Sequence, residues 1–235
     1  MSVRTWVGTS GFSYPEWKGN FYPEKMAAKD MLGFYSSRFP TVEINNTFYR
    51  MPKEPLLQGW AAQVPEHFAF VIKASKRITH DQRLRDCDEL LRHLFRVVDV
   101  LGPRLGPLLF QLPPNFKKDL PRLTAFFDAM PARRRLAVEF RHASWFDDEV
   151  FALLKERGAA LCVADTGEEP VAPLVATTDW GYLRLRREDF SPDQLRDWAR
   201  RVREQPWTDA FVFLKHEEEG RGPKLAAQLI EYFAT

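Results

Sequence analysis

The feature that most constrains the fold of this chain is an alternation, repeated eight times, of short β-branched or aromatic runs with longer segments of helical periodicity. This order predicts parallel strands joined by helices, because neighbouring parallel strands cannot be connected by a tight turn. The predicted strands cover residues 4–8, 41–44, 68–73, 107–110, 136–139, 160–164, 182–185 and 210–214.

The predicted helices cover residues 25–38, 52–63, 84–101, 120–130, 147–157, 191–204 and 223–233. In the third, apolar residues from Leu84 to Leu101 recur in steps of three and four and form one stripe. Ser191 and Gln194 predict a capping box at the start of segment 191–204. The stretch between strands six and seven is short, so we expect the helix after strand six to be short or missing.

Eight such repeats in 235 residues predict a small TIM-type (β/α)8 barrel that forms a single domain over residues 1–235. The rival is an open doubly wound sheet, which should carry a glycine-rich nucleotide-binding turn after its first strand. The nearest candidate, Gly8-Thr9-Ser10-Gly11, has neither that glycine spacing nor a following helix. The barrel is therefore the preferred interpretation.

Composition excludes several function classes. Thirty-four Lys and Arg against 32 Asp and Glu leave a net charge of +2, too balanced to indicate nucleic acid or an anionic membrane as a partner through bulk charge. Cys87 and Cys162 offer no CxxC metal motif and are predicted to be reduced core thiols. The chain has no signal-peptide core and no apolar run of roughly 18 residues, so we expect a cytoplasmic protein without membrane association.

The functional face of such a barrel lies at the carboxyl ends of its strands, and this sequence places many polar residues there. Alternation along a strand puts Glu43 with Asn45, and Glu139 with Arg141, on one face. The polar residues at the predicted strand ends are Thr9, Ser10, Glu43, Asn45, Asn46, Thr47, Lys73, Gln111, Glu139, Arg141, His142, Asp165, Arg184, Arg186, Lys215 and His216.

Glu43 and Glu139 each stand between apolar residues, and a buried carboxylate is costly unless it is paired or functional. Two interpretations stay open. Lys73, Arg141 and Arg184 could neutralise both glutamates in a salt-bridge network, or the glutamates could act as general acid and base, or as acid and nucleophile.

Four residues are predicted to be catalytic, namely Glu43, Glu139, Lys73 and His142. Lys73 could serve as a base or Schiff-base lysine rather than as an ion-pair partner, and His142 could transfer protons rather than fix its loop. The predicted substrate-binding residues are Thr9, Ser10, Asn45, Tyr49, His80, Gln111, Arg141, Trp145, Asp165 and Arg184.

We expect no metal or other cofactor. The chain contains neither HxH nor HExxH, the histidine spacings typical of metal sites. A divalent metal held by Glu43, Glu139, Asp165 and His142 is the weaker alternative, because nearby cations would compete for the carboxylates. The loops also carry an aromatic set, which could form a stacking surface for a sugar or base or could pack the first loop onto the barrel. This set is Phe12, Tyr14, Trp17, Phe21, Tyr22, Phe48, Tyr49 and Trp145.

Five segments, in register over residues 1 to 165, resemble the DUF72 family of YecE-like proteins. They read GTSGFSYPEWKGNFYP, FPTVEINNTFYRMP, FAFVIKASKRITH, LGPLLFQLPPNF and AVEFRHASWF. The resemblance implies a TIM-type barrel and no established activity. It weakens after strand seven, where YLRLRREDFSPDQL lacks the His-Gly loop usual in that family. The residues that match the family motifs include Gly8, Gly11, Trp17, Glu43, Lys73, Gln111, Glu139 and Arg141.

Together these patterns predict a metal-independent hydrolase or lyase that acts on a small anionic or sugar-like substrate through strand-end carboxylates. The alternative is a non-catalytic protein that binds a ligand or nucleic acid with the aromatic and basic rim of the barrel mouth. Oligomeric state is not predicted by the sequence.

Overall fold

The computed structural model describes residues 3–215 and 218–234 and contains a closed barrel of eight parallel strands in sequence order. Every strand pairs with its neighbours and β8 pairs with β1, so the predicted TIM-type barrel is confirmed and an open sheet is excluded. The strands are β1 Arg4–Ser10, β2 Thr41–Ile44, β3 Ala69–Lys73, β4 Leu105–Gln111, β5 Leu136–Glu139, β6 Ala159–Asp165, β7 Trp180–Leu185 and β8 Asp209–Leu214.

Seven helices surround this barrel in the described part of the chain. They are α1 Met31–Ser36, α2 Glu54–Ala61, α3 Asp88–Val98, α4 Leu120–Asp128, α5 Asp148–Arg157, α6 Pro192–Arg203 and α7 Arg221–Ala234. Residues 166–179, between β6 and β7, are described throughout and contain no helix, as predicted. The capping box of α6 is also confirmed, with Ser191 Oγ accepting from Gln194 N at 3.2 Å and Gln194 Oε1 accepting from Ser191 N at 2.8 Å.

Two helices begin several residues later than predicted. The first begins at Met31 rather than at residue 25, after a 3-10 turn at Ala28–Asp30. The third begins at Asp88 because Leu84 has a left-handed φ of 68° and follows a π-helical turn at Arg77–Asp81. Leu84 is nevertheless buried, so its place in the apolar stripe indicates burial and not helical structure.

The barrel interior consists of an apolar layer covered by a polar one. Val71, Leu109, Ala137 and Tyr182 belong to the buried cluster inside the barrel. Two residues further along the same four strands come Lys73, Gln111, Glu139 and Arg184. Because successive side chains of a strand alternate between its two faces, these four also point into the barrel, now at its carboxyl-terminal mouth.

Both cysteines are free and buried, as predicted, and burial raises the pKa of each thiol, to about 11 for Cys87. In residues 3–215 and 218–234, no helix has the length and apolar character needed to cross a bilayer.

Candidate functional site

A buried arginine links two carboxylates at the centre of the barrel mouth. Arg184, on β7, donates through Nη2 to Glu43 Oε1 at 2.8 Å and through Nη1 to Glu139 Oε2 at 2.6 Å. Both ion pairs are shielded from water, since the side chains of Glu43 and Arg184 are 0% exposed and that of Glu139 is 3% exposed. We call Glu43, Arg184 and Glu139 the central triad.

Neutral groups complete the hydrogen bonding of Glu43. Its Oε1 accepts from Ser10 Oγ at 2.7 Å and from Asn45 Nδ2 at 2.9 Å, while its Oε2 accepts from Tyr182 Oη at 2.6 Å. Asn45 in turn accepts from Arg184 Nη2 at 3.2 Å. Three predicted site residues, Ser10, Asn45 and Arg184, therefore meet at one carboxylate.

The environment of the triad keeps both carboxylates ionised. Burial opposes ionisation of Glu43, but Arg184, Arg186 and the hydrogen bond from Tyr182 outweigh it and lower the pKa of Glu43 from 4.5 to about 2. Burial also opposes ionisation of Glu139, but the positive charges of the same two arginines outweigh it and lower the pKa of Glu139 below its usual value. The ionised state of both groups favours the salt-bridge interpretation of the two glutamates over a role as general acid.

A second chain of hydrogen bonds joins Lys73 to the triad. Lys73 Nζ donates to Gln111 Oε1 at 2.9 Å, and Gln111 Nε2 donates to Glu139 Oε1 at 2.7 Å. The ammonium group also lies 4.0 Å from the centroid of the Phe48 ring. Burial, and then the positive charge of Arg184, lower the pKa of Lys73 from 10.5 to about 8. A substantial fraction of this amine is therefore neutral slightly above physiological pH.

Two further arginines add positive charge above the triad. Arg141, with a side chain that is 45% exposed, places Nε 4.0 Å from Glu139 Oε1. Arg186 is partly buried, and its side chain makes no hydrogen bond or ion pair within the described ranges. Burial and the neighbouring Arg184 lower the pKa of Arg186, although a guanidinium remains protonated in proteins. We call Lys73, Arg141 and Arg186 the mouth cations.

One N–H group of the central arginine, Arg184, donates to no described residue. The Nε of Arg184 is buried and has no hydrogen-bond partner among the described residues. A buried N–H normally finds a partner, so this unpaired donor is an exception in an otherwise satisfied centre.

The two predicted loop histidines differ in position. His80 packs edge-on against Phe48 with ring centroids 4.9 Å apart, and its Nδ1 lies 2.9 Å from Thr79 Oγ1. Burial, followed by repulsion from Lys73 and Arg141, lowers the pKa of His80. His142 instead caps the turn at Ala143–Trp145, its Nδ1 accepting from Ser144 N at 3.1 Å.

His142 has no hydrogen bond or ion pair to the triad within the described part of the chain, so the structure supports its loop-fixing interpretation over proton transfer. Trp145, predicted to bind substrate, is fully buried, stacks on Phe140 at 4.7 Å and donates to the carbonyl of Phe116 at 2.6 Å. Its indole is thus part of the core and not of the mouth.

Three other predicted substrate-binding residues lie outside the charged centre. Thr9 Oγ1 donates to the carbonyl of Gly11 at 2.6 Å and ties β1 to its loop. Asp165 is buried and accepts from Arg187 Nε at 2.7 Å and from Trp198 Nε1 at 3.0 Å, so its carboxylate is already satisfied. Tyr49 is 75% exposed, at the outer edge of the loop after β2.

Most of the aromatic set packs the first loop onto the barrel. Trp17 and Tyr22 are each 1% exposed and stack with centroids 6.0 Å apart. Phe21 packs edge-on against Phe34 at 5.5 Å. The packing interpretation is therefore confirmed for these residues, whereas Phe48 lies at the mouth against Lys73.

The described residues contain no group of three or more His, Cys, Asp or Glu side chains placed to hold a metal ion. His216, one of the polar residues predicted at the strand ends, lies outside the described residues.

Two residues of this centre are not among the site residues predicted from the sequence. Tyr182 was assigned only to a strand, yet it precedes Arg184 by two residues, and this period-two spacing was the available signal. Arg186 was noted at a strand end but was not chosen, because sequence cannot show that its charge lacks a partner.

Comparison with known proteins agrees with this architecture. The family described as "Protein of unknown function DUF72" matches residues 6–235. The UPF0759 protein YecE of Escherichia coli (strain K12) is 32% identical over 142 residues, which are 60% of this chain and only half of YecE. The UPF0759 protein YunF of Bacillus subtilis (strain 168) is 26% identical, with 96% of this chain and 93% of YunF covered.

Solved structures show the same fold. A crystal structure of a DUF72 family protein from Thermotoga maritima superposes with a TM-score of 0.86 at 27% identity, covering 99% of this chain and 100% of that one. Another, from Enterococcus faecalis, gives a TM-score of 0.77 at 19% identity over 89% of this chain and 96% of that one. Because the family match extends over nearly the whole sequence and includes all eight strands except the first two residues of β1, this protein belongs to the DUF72 family.

Proposed function

We propose that this protein is a hydrolase or lyase for a small anionic substrate, which the mouth cations bind and on which Lys73 acts. The observation that carries the proposal is Arg186, a partly buried guanidinium with no partner among the described residues. Glu43 and Glu139 attract Arg186 but form no direct ion pair with it, so the site favours a ligand whose negative charge contacts this guanidinium directly.

The charge balance of the mouth supports the same conclusion. The two carboxylates of the central triad are already neutralised in part by Arg184, while three further cations stand around them. With Lys73 protonated, the centre carries an excess of positive charge. A carboxylate or phosphate can accept from Arg186 and from Arg141, both of which are partly exposed.

Lys73 is the group best suited to move a proton in this site. Gln111 holds its amine in place, and its pKa of about 8 lies close to the working range of most enzymes. The neutral amine can accept a proton from a bound substrate, and it can also attack a carbonyl carbon as a nucleophile. The central triad then acts as a rigid support that positions Gln111 and Arg184 and does not itself transfer protons.

The binding part of the proposal is tested with Arg186→Gln. Calorimetry with inorganic phosphate and citrate should show affinity weakened by about tenfold or more, since a hydrogen bond to a charged group contributes roughly 1.5–3 kcal/mol. The matched control is Arg133→Gln, which removes the same charge from an exposed position just before β5, on the opposite face of the barrel. Equal affinities in both variants would contradict the anion site.

The catalytic part is tested by incubating the protein with a panel of phosphorylated and carboxylated compounds and following the mixture by NMR. Lys73→Met should abolish any turnover found while retaining measurable anion binding. Turnover that survives in Lys73→Met would refute the assignment. If anions bind but none is converted and single-stranded nucleic acid binds more tightly, the non-catalytic alternative replaces this proposal.

A further inference from the structure

We infer that the anion recognised at the mouth is carried by a sugar or sugar-like ring, which binds in a cavity beside the central triad. This inference rests on the proposed function, because the charged group of the ligand is assigned to the mouth cations. The cavity has a volume of about 400 Å³ and lies between the loop after β1, helix α1, the loop after β2 and helix α2. That volume is within the range of small-molecule sites, roughly 300–1,000 Å³.

The cavity has rigid aromatic walls. Phe12 and Trp60, both lining it, meet edge-to-face with centroids 6.2 Å apart. Tyr14, on the same wall, packs on the buried Trp17 at 4.8 Å and donates its hydroxyl to the carbonyl of Ser10 at 2.7 Å. Such rings offer flat apolar surfaces at little entropic cost, and the C–H face of a sugar ring packs on surfaces of this kind.

Polar groups border these walls. Asn46 lines the cavity, and its exposed side-chain amide makes no hydrogen bond to any described residue. Gln63 donates through Nε2 to the carbonyl of Gly59 at 2.8 Å, which leaves its Oε1 to accept from a ligand. A sugar has hydroxyls that donate and accept around an apolar ring, so it can satisfy both the amides and the aromatic walls.

Asn45 connects the cavity to the charged centre. It lines the cavity, and its side chain contacts Glu43 at 2.9 Å and Arg184 at 3.2 Å. The cavity and the central triad therefore share one wall. A ring in the cavity would project an attached phosphate or carboxylate past Asn45 toward the mouth cations.

The test is calorimetry with a panel of hexose phosphates, pentose phosphates and hexuronates, compared with inorganic phosphate and phenyl phosphate. At least one sugar anion should bind about tenfold more tightly than both simple anions, since the ring buries apolar area and satisfies the amides. If no sugar anion exceeds inorganic phosphate and phenyl phosphate, the inference is overturned.

Substitutions separate this inference from the proposed function. Ser13 is an exposed residue that lines the cavity, and Ser13→Trp should fill it. This variant should bind sugar anions no more tightly than inorganic phosphate, while its affinity for phosphate stays unchanged. Ser13→Ala is the control. Asn46→Ala should weaken sugar binding several-fold. It is the cavity variant to measure if Ser13→Trp fails to fold. Arg186→Gln should weaken all the anions together. An unchanged sugar advantage in both cavity variants refutes the ring site, whereas an unchanged phosphate affinity in Arg186→Gln refutes the anion site.

Discussion

The central triad makes a quantitative prediction about pH and stability through Glu43→Gln. Folding lowers the pKa of Glu43 from 4.5 to about 2, and its side chain is fully buried, so solvent screening is small. At roughly 1.4 kcal/mol for each factor of ten in proton affinity, the ionised carboxylate contributes about 3 kcal/mol to the free energy of unfolding.

The sign follows from the direction of the pKa. A carboxyl group with a lowered folded-state pKa stabilises the protein fully above its unfolded pKa, near 4.5, and loses that contribution as the pH falls toward about 2. Glu43→Gln should therefore be about 3 kcal/mol less stable than wild type at pH 7. More than half of this difference should be gone by pH 3, because the carboxyl group of the wild type takes up its proton during unfolding.

The assay is urea unfolding followed by circular dichroism at pH 7, 5, 4 and 3, with free energies from linear extrapolation. Glu66→Gln is the control, because Glu66 is exposed and the substitution should change stability by less than about 0.5 kcal/mol at every pH. A difference between wild type and Glu43→Gln that stays constant from pH 7 to pH 3 would refute the reasoning, since the cost would then come from packing and not from charge.

Three further predictions concern single side chains. Arg184→Met should lower the free energy of unfolding by about 3–5 kcal/mol in urea at pH 7, since it leaves Glu43 and Glu139 buried without their cation; a loss below about 1 kcal/mol would contradict the pairing. After reductive methylation with 13C, the Lys73 signal, identified by its absence in Lys73→Met, should titrate near pH 8, and a midpoint near 10.5 would show that the amine is solvated. Ser191→Ala should cost about 1 kcal/mol through loss of the α6 cap, with unchanged anion binding as the internal control.

The local features of this chain were predictable from sequence because they depend on neighbouring residues. Period-two alternation placed Glu43 and Asn45 on one face, and the structure joins them at 2.9 Å. The cap at Ser191 and a short or missing helix between β6 and β7 were likewise predicted from residues close in the chain. Each of these features depends on the local backbone conformation, which residues close in sequence determine.

The roles of strand-end residues could not be read in the same way. Asp165 and Glu139 both end a strand, yet Asp165 is satisfied by Trp198 and Arg187, whereas Glu139 faces Arg184 inside the barrel. Trp145 follows the same strand as Glu139 and turns into the core. The sequence pattern identifies where a strand ends but not which distant side chain meets it there.

The sequence by itself determined the eightfold alternation and hence the barrel, since apolar periodicity fixes which face of each element avoids water. Only the tertiary structure decided the chemistry of the mouth. Arg184 lies 141 positions from Glu43 and 45 from Glu139, and closure of the barrel brings the three together. The lowered pKa values of Lys73, Glu43 and Glu139 depend on that burial and pairing, which arise when strands distant in sequence enclose a common interior.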